Sequence, residues 1–277
     1  MRSALLQLTC GDDPATNLAL TQAMLDDAVA DGAGFVLTPE VTNCVSTSRA
    51  HQQDVLHLEA DDPTLAGLRD SAAAAGIWLL IGSLALKTGD ADGRFANRSF
   101  LINPQGGIAA WYDKINMFDV TVSEAEIYRE SDGYRPGDRA VVAQTPFGAV
   151  GMTVCYDLRF PQLYRALACS GADILTVPSA FSPVTGAAHW EPLLRARAIE
   201  TGAWVVAPAQ TGTHPTSQGK QRRTHGHSLV VSPWGEVMAD AGSAPGVTMV
   251  DIDCASVDKS RTRIPSILSD MPFTFDQ

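Results

Sequence analysis

A mixed α/β fold of the α+β kind, with two β-sheets packed face to face and helices outside them, is predicted by three observations on this 277-residue sequence. Eleven short apolar runs read as strands. Only four clear helical patterns separate them. Turn signals join some strands directly while helices join others, and so many strands with so few helices suit two sheets better than one doubly wound sheet.

Along the chain, Ala4 to Thr9 is the first strand, and Asp13, Pro14 and Gly32 cap, start and close a helix over Pro14 to Asp31. Phe35 to Thr38 is the second strand. Asp62 and Gly76 bracket a helix over Pro63 to Ala75. Strands follow at Ile77 to Leu84, Ser99 to Asn103 and Ile108 to Tyr112, the last two joined by the turn Asn103-Pro104-Gln105-Gly106. Thr145-Pro146-Phe147-Gly148 likewise joins Val141 to Gln144 with Ala149 to Val154. Then come a helix over Pro161 to Ser170, a strand at Ile174 to Val177, and a helix over His189 to Thr201 closed by Gly202. Strands at Val205 to Ala209, Ser228 to Ser232 and Thr248 to Ile252 complete the set, with a turn at Pro233-Trp234-Gly235. Two long polar stretches, Asn116 to Asp138 and Thr211 to His225, read as loops of the length that carries function. No linker or charge run divides the chain, so residues 1–277 read as one domain.

Composition excludes several classes. With 45% hydrophobic and 18% charged residues the chain is not disordered. Its formal charge of −11 disfavours nucleic acid and anionic lipid as partners. The charge-free stretch Ile174 to Trp190 carries Pro, Gly and His rather than about 20 apolar residues, so no membrane span is expected. Ala4 to Leu8 is too short for a signal core, which leaves a cytoplasmic address. Five cysteines, Cys10, Cys44, Cys155, Cys169 and Cys254, form neither CxxC pairs nor an even set, so no disulfide framework or zinc site is expected. No GxGxxG, P-loop or GxSxG is present. His214, His225 and His227 lack metal-site spacing and read as solvated or core histidines.

Chemistry points to Ala149 to Pro161, an apolar strand that turns sharply into a helix at Cys155. A sulfur at such a corner is held out of the sheet, and the amides of Cys155 and Tyr156 would face whatever it attacks. The bland alternative is a buried structural thiol.

Cys155-Tyr156-Asp157-Leu158-Arg159-Phe160-Pro161, with Thr38-Pro39-Glu40 and Tyr112-Asp113-Lys114, resembles the Glu-Lys-Cys signature of the nitrilase (carbon-nitrogen hydrolase) superfamily. Ser179-Ala180-Phe181, Thr185 to Trp190, Leu194 to Glu200 and Gly226-His227-Ser228 extend the likeness to its Nit-type, omega-amidase-like branch. The resemblance implies a four-layer α-β-β-α sandwich in which Glu40, Lys114 and Cys155 converge, with Glu130 as a second glutamate in support. Glu40 would act as the base for a thiol whose ordinary pKa is about 8.5. Lys114 would stabilise thiolate and oxyanion, since unit charges 4 Å apart interact by about 4 kcal/mol in such surroundings. Singly, Glu40 reads equally as a strand-end surface acid, Lys114 as an ion-pair partner of Asp113 or Asp119, and Glu130 as one more loop charge.

Phe118, Phe181 and Trp190, with Tyr156, are the expected pocket walls. Asp157 with Arg159, and Arg195 with Glu200, are expected as structural pairs. Two positions depart from the family pattern: Asn116 stands where a histidine is usual, near the expected pocket, and Gln162 where a glutamate is usual, at a helix cap. The implied activity is hydrolysis of a small carboxylate-bearing amide, a 2-oxo acid omega-amide or deaminated glutathione-like compound, to acid and ammonia through a cysteine thioester. It needs no metal or organic cofactor. The resemblance also implies a homodimer or higher homo-oligomer. Rival readings are N-carbamoyl amino acid hydrolysis or a nitrilase reaction on the same triad, a cysteine protease pairing Cys155 with His189 or His227, and a non-catalytic partner-binding scaffold.

Overall fold

The computed structural model describes residues 1–121, 127–269, 271–272 and 274–276. Its first half runs β1 (Arg2–Gln7), α1 (Pro14–Ala30), β2 (Phe35–Leu37), α2 (Arg49–Val55), α3 (Pro63–Ala75), β3 (Trp78–Lys87), β4 (Phe95–Ile102) and β5 (Ile108–Asp113). A small hairpin of β6 (Asp119–Thr121) and β7 (Ile127–Arg129) follows. The second half runs β8 (Val141–Thr145), β9 (Gly148–Met152), α4 (Pro161–Cys169), β10 (Ile174–Thr176), α5 (Pro183–Thr201) and β11 (Trp204–Ala207). The hairpin β12 (Thr211–Thr213) and β13 (Arg223–His225), then β14 (Leu229–Val231), β15 (Val237–Asp240), β16 (Gly246–Asp251) and α6 (Ala255–Arg263), complete it.

Two six-stranded sheets result, ordered β16-β1-β2-β3-β4-β5 and β15-β14-β11-β10-β9-β8. Each has three parallel strands at its heart, β1-β2-β3 and β9-β10-β11, because helices carry the chain back between them. Antiparallel strands extend the flanks.

Side-chain alternation sets the layers. Leu5, Leu37, Leu80 and Leu101 face the second sheet and join a core with Val150, Met152, Ile174 and Val206. Their neighbours Ala4, Leu6, Val36, Leu79 and Ile81 face the other way, beneath Leu25 and Ala28 of α1 and Leu65 and Leu68 of α3. Both faces of each sheet are therefore covered, and the order is helix, sheet, sheet, helix. The α-β-β-α arrangement is present.

Capping chemistry places the helices. Asp13 accepts from the Thr16 N–H and Asp62 from the Leu65 N–H, each with proline in the first turn. α5 differs from its expected start at His189: Ser182 caps it and Pro183 opens it, six residues earlier. The stretches expected as loops carry the hairpins β6-β7 and β12-β13, while residues 122–126 of the first lie outside the described residues. Among the described residues no helix is long and apolar enough to cross a membrane.

Candidate active site

Strand ends from both sheets open on one cavity, the usual place for a site in α/β architectures. Past β2 the chain reaches Glu40; directly after β5 comes Lys114; past β9 comes Cys155. Lys114 is fixed by its backbone, its N–H donating to the Asn97 carbonyl (3.0 Å) and its carbonyl accepting from the Gly137 N–H (2.8 Å). Cys155 begins a short 3₁₀ segment ending at Arg159 and has a φ of +50°. A non-glycine residue is strained there by about 1–3 kcal/mol and persists only where its surroundings over-determine it.

Asp157 provides that constraint. Its carboxylate accepts from the Val154 N–H (2.9 Å), the Tyr112 hydroxyl (2.7 Å), and the Asn116 backbone and side-chain N–H groups (2.9 and 2.8 Å). Arg197 holds the other side by donating from Nε and Nη2 to the Leu158 carbonyl. The Cys155 N–H donates to the Pro178 carbonyl (3.0 Å), so it is committed and does not serve as the open donor expected of it. The neighbouring Tyr156 N–H, in the first turn of the segment, has no acceptor among the described residues.

Glu40, Lys114 and Cys155 are 4%, 2% and 7% exposed. Lys114 Nζ donates to Glu40 Oε1 at 2.9 Å and to Glu130 Oε1 and Oε2 at 2.9 and 2.8 Å. Asn97 Nδ2 reaches Glu40 Oε1 (2.9 Å), and the Ala180 N–H reaches Glu40 Oε2 (2.9 Å). Glu130 also accepts from the Phe118 N–H (2.6 Å). Lys114 does not pair with Asp113 or Asp119: Asp113 is taken by Arg98 at 2.6 and 2.8 Å, and Asp119 by the Ser131 N–H.

Charge states follow from these contacts. Burial alone would raise the Glu40 carboxyl, but Lys114, Arg222 and hydrogen bonds from Cys155 and Lys114 hold it below the ordinary carboxylate range. Burial would lower the Lys114 ammonium, yet Glu130, Glu40 and Cys155 push it well above its usual value. Burial, then the Glu40 charge, raises the Cys155 thiol far above the ordinary range against the opposing pull of Lys114. At neutral pH the set is thiol, carboxylate and ammonium.

The carbon-nitrogen hydrolase family matches residues 2–262. The chain belongs to this family. A deaminated glutathione amidase of Yersinia enterocolitica is 40% identical over 265 residues, covering 95% of this hydrolase and 90% of the relative. The structure of the Caenorhabditis elegans NitFhit protein superposes with a TM-score of 0.89 at 33% identity, covering 97% of the hydrolase and 64% of that longer chain. A point mutant of an amidase from Nesterenkonia superposes with a TM-score of 0.77 at 26% identity over 96% and 95% of the two chains; it carries the acetamide moiety of fluoroacetamide on its active-site cysteine.

The cavity of the hydrolase holds about 640 Å³ and is lined by Phe118, Tyr156 and Phe181, along with Glu40, Lys114, Glu130 and Cys155. Trp190 is a correction. It is fully buried behind Phe181, ring centroids 4.8 Å apart, donates to the His227 carbonyl, and does not reach the wall. Arg159 does not pair with Asp157; it lies over Tyr156 and Phe181 and hydrogen-bonds His189. Arg195 bonds Glu191, and Arg197, not Arg195, bonds Glu200. Asn116 sits on Asp157 rather than in the wall, so this departure from the family pattern acts on the elbow. Gln162 is exposed and does not line the cavity. His189 and His227 do not line the cavity; His227 bonds Asp240 and stacks on His225. His214 is core, bonded to the Cys10 carbonyl and Thr224 hydroxyl.

Sequence reasoning missed a basic wall. Arg129, Lys220, Arg222 and Arg223 all line the cavity. Arg222 Nη2 donates to the Ala180 carbonyl at 2.7 Å. The strap between β12 and β13 that carries Lys220 and Arg222 is clipped twice. Asp12 Oδ2 accepts from the Ser217 N–H (2.6 Å) and hydroxyl (2.8 Å), and Thr47 Oγ1 both accepts from the Lys220 N–H and donates to its carbonyl at 2.8 Å. Its length was the one available signal.

Proposed function

We propose that this hydrolase is an amidase that opens small carboxylate-bearing amides through a thioester on Cys155, with Glu40 as base and Lys114 as electrostatic partner. The observation that carries this reading is geometric: the buried Cys155 opens on the same cavity as the buried Glu40 and Lys114, which are joined Nζ to Oε1 at 2.9 Å. Glu40 takes the thiol proton as sulfur attacks the carbonyl carbon. The resulting oxyanion is stabilised by the Tyr156 N–H and Lys114, one of whose N–H groups turns from Glu130 while the other keeps that contact. Glu40 then passes its proton to the departing nitrogen, the C–N bond breaks, and ammonia leaves from a primary amide. Water enters, Glu40 takes its proton, hydroxide attacks the thioester, and the acid leaves as Cys155 recovers its hydrogen.

The cationic wall supports an anionic acyl group in a protein of net charge −11. Together with the relative named deaminated glutathione amidase, it favours a 2-oxo acid omega-amide or a deaminated glutathione-like compound. A cytoplasmic address and homo-oligomers belong to the same proposal, the latter supported by exposed Ile199, Trp234 and Ile264.

Mass spectrometry of protein quenched during turnover tests the reading. An acyl adduct on the peptide containing Cys155, absent in Cys155→Ala, is expected; turnover by Cys155→Ala would overturn it. Carbon dioxide released alongside ammonia would instead indicate N-carbamoyl amino acid hydrolysis.

A further inference from the structure

Val41, the residue after Glu40, has a φ of +49°. A β-branched side chain in the left-handed region is an outlier that needs outside support. The peptide unit joining Glu40 to Val41 is gripped at both ends. Its carbonyl accepts from Gln210 Nε2 at 3.1 Å, and its N–H donates to Ser83 Oγ at 2.8 Å. Ser83 lies in β3 of one sheet, whereas Gln210 follows β11 of the other.

Both side chains are fully buried. The Ser83 N–H donates to the Pro39 carbonyl (3.2 Å) and its carbonyl accepts from the Thr42 N–H (2.9 Å), so three of its polar groups serve the turn around Glu40. The β3-β4 register breaks between Ile81 and Leu84, the kind of irregularity that re-aims a side chain. Gly82 is required for the approach, since a Cβ there would lie 2.0 Å from the Thr38 carbonyl oxygen and 2.5 Å from that of Pro39. Gln210 is itself fixed, its Oε1 accepting from the Cys10 N–H at 3.1 Å.

We propose that Ser83 and Gln210 are positioning residues that clamp the Glu40–Val41 peptide and so aim the Glu40 carboxylate at the Cys155 thiol. This role rests on the reading of Glu40 as base. Neither residue lines the cavity, so neither meets substrate. The clamp holds a conformation that valine resists, and displacement of a reacting group by about 1 Å lowers rates by about 10²-fold.

Glycine occupies positive φ without steric cost, so Val41→Gly should make the clamp dispensable. Ser83→Ala is expected to lower kcat about 10- to 100-fold with KM changed by less than about threefold. In a Val41→Gly background the same change should lower kcat by less than about threefold relative to that parent. Equal losses in both backgrounds, or an effect on KM alone, would overturn the clamp. If circular dichroism shows Ser83→Ala to be unfolded, Gln210→Met releases the other end of the same peptide and must show the same coupling. Glu40→Gln assayed in parallel separates the two ideas: an active Glu40→Gln sinks the base assignment, whereas an inactive one with an uncoupled Ser83→Ala sinks the clamp alone.

Discussion

Burial decides the resting chemistry of the three central side chains. A carboxylate held below its ordinary range is ionised through the whole neutral region, and a thiol raised by burial stays protonated there, so no thiol titration should shape the rate profile. kcat/KM is expected to stay level through neutral pH and to fall on the acid side only below about 4.3, the ordinary carboxylate value. A pH-rate profile whose acid limb centres near neutrality would contradict that. Stability carries the same sign: the depressed Glu40 contributes above the unfolded carboxylate range, and that contribution is lost as pH falls through its folded value. In the proposed mechanism Lys114→Met removes an oxyanion donor, a loss that typically costs about 2.7 to 4 kcal/mol of barrier, so turnover should drop about 10²- to 10³-fold. Steady-state assays on protein with an unchanged circular dichroism spectrum check it.

At the scale of single elements, the strap between β12 and β13 brings Lys220 and Arg222 to the cavity wall. Removing a hydrogen bond to a charged group costs about 1.5–3 kcal/mol, so Arg222→Gln should raise KM about 10- to 100-fold for amides bearing a carboxylate and change KM far less for a neutral short-chain amide, while the lost contacts to Glu40 and Ala180 lower kcat for both. Asp12→Ala loosens one clip of the strap and should shift KM in the same direction by a smaller factor. An equal KM effect on neutral and anionic amides would argue against a charge-reading wall. The strap, like the β6-β7 hairpin, was legible only as an overlong polar stretch, because neither ladder has apolar alternation and both are held by backbone contacts. α2 and α6 escaped for a related reason: each buries one residue, Gln52 and Val257 respectively, too little to print a helical stripe. The early start of α5 was masked by Gly186 and Pro192, although Ser182 and Pro183 give an ordinary helix opening.

Across the whole molecule, the eleven apolar runs were legible because their strands carry buried residues, apart from β16, which is half-buried, and the pairing of two sheets followed from their number. The convergence of Glu40, Lys114 and Cys155 was legible through three motifs. Trp190 was misplaced because an aromatic on a core helix and one on a pocket wall look alike in sequence, and Ser83 and Gln210 gave no signal because their work depends on a backbone angle at Val41. The ladder between the first and last strands, Arg2 opposite Asp251 through Gln7 opposite Gly246, has a consequence for dissection of the enzyme. Severing the connection at Arg139 would leave carboxylate and ammonium on one fragment and sulfur on the other, with the outer strand of the first sheet stranded on the wrong fragment. Each fragment alone should be inert, and mixing them should revive hydrolysis in proportion to their association, so the reaction itself would report reassembly.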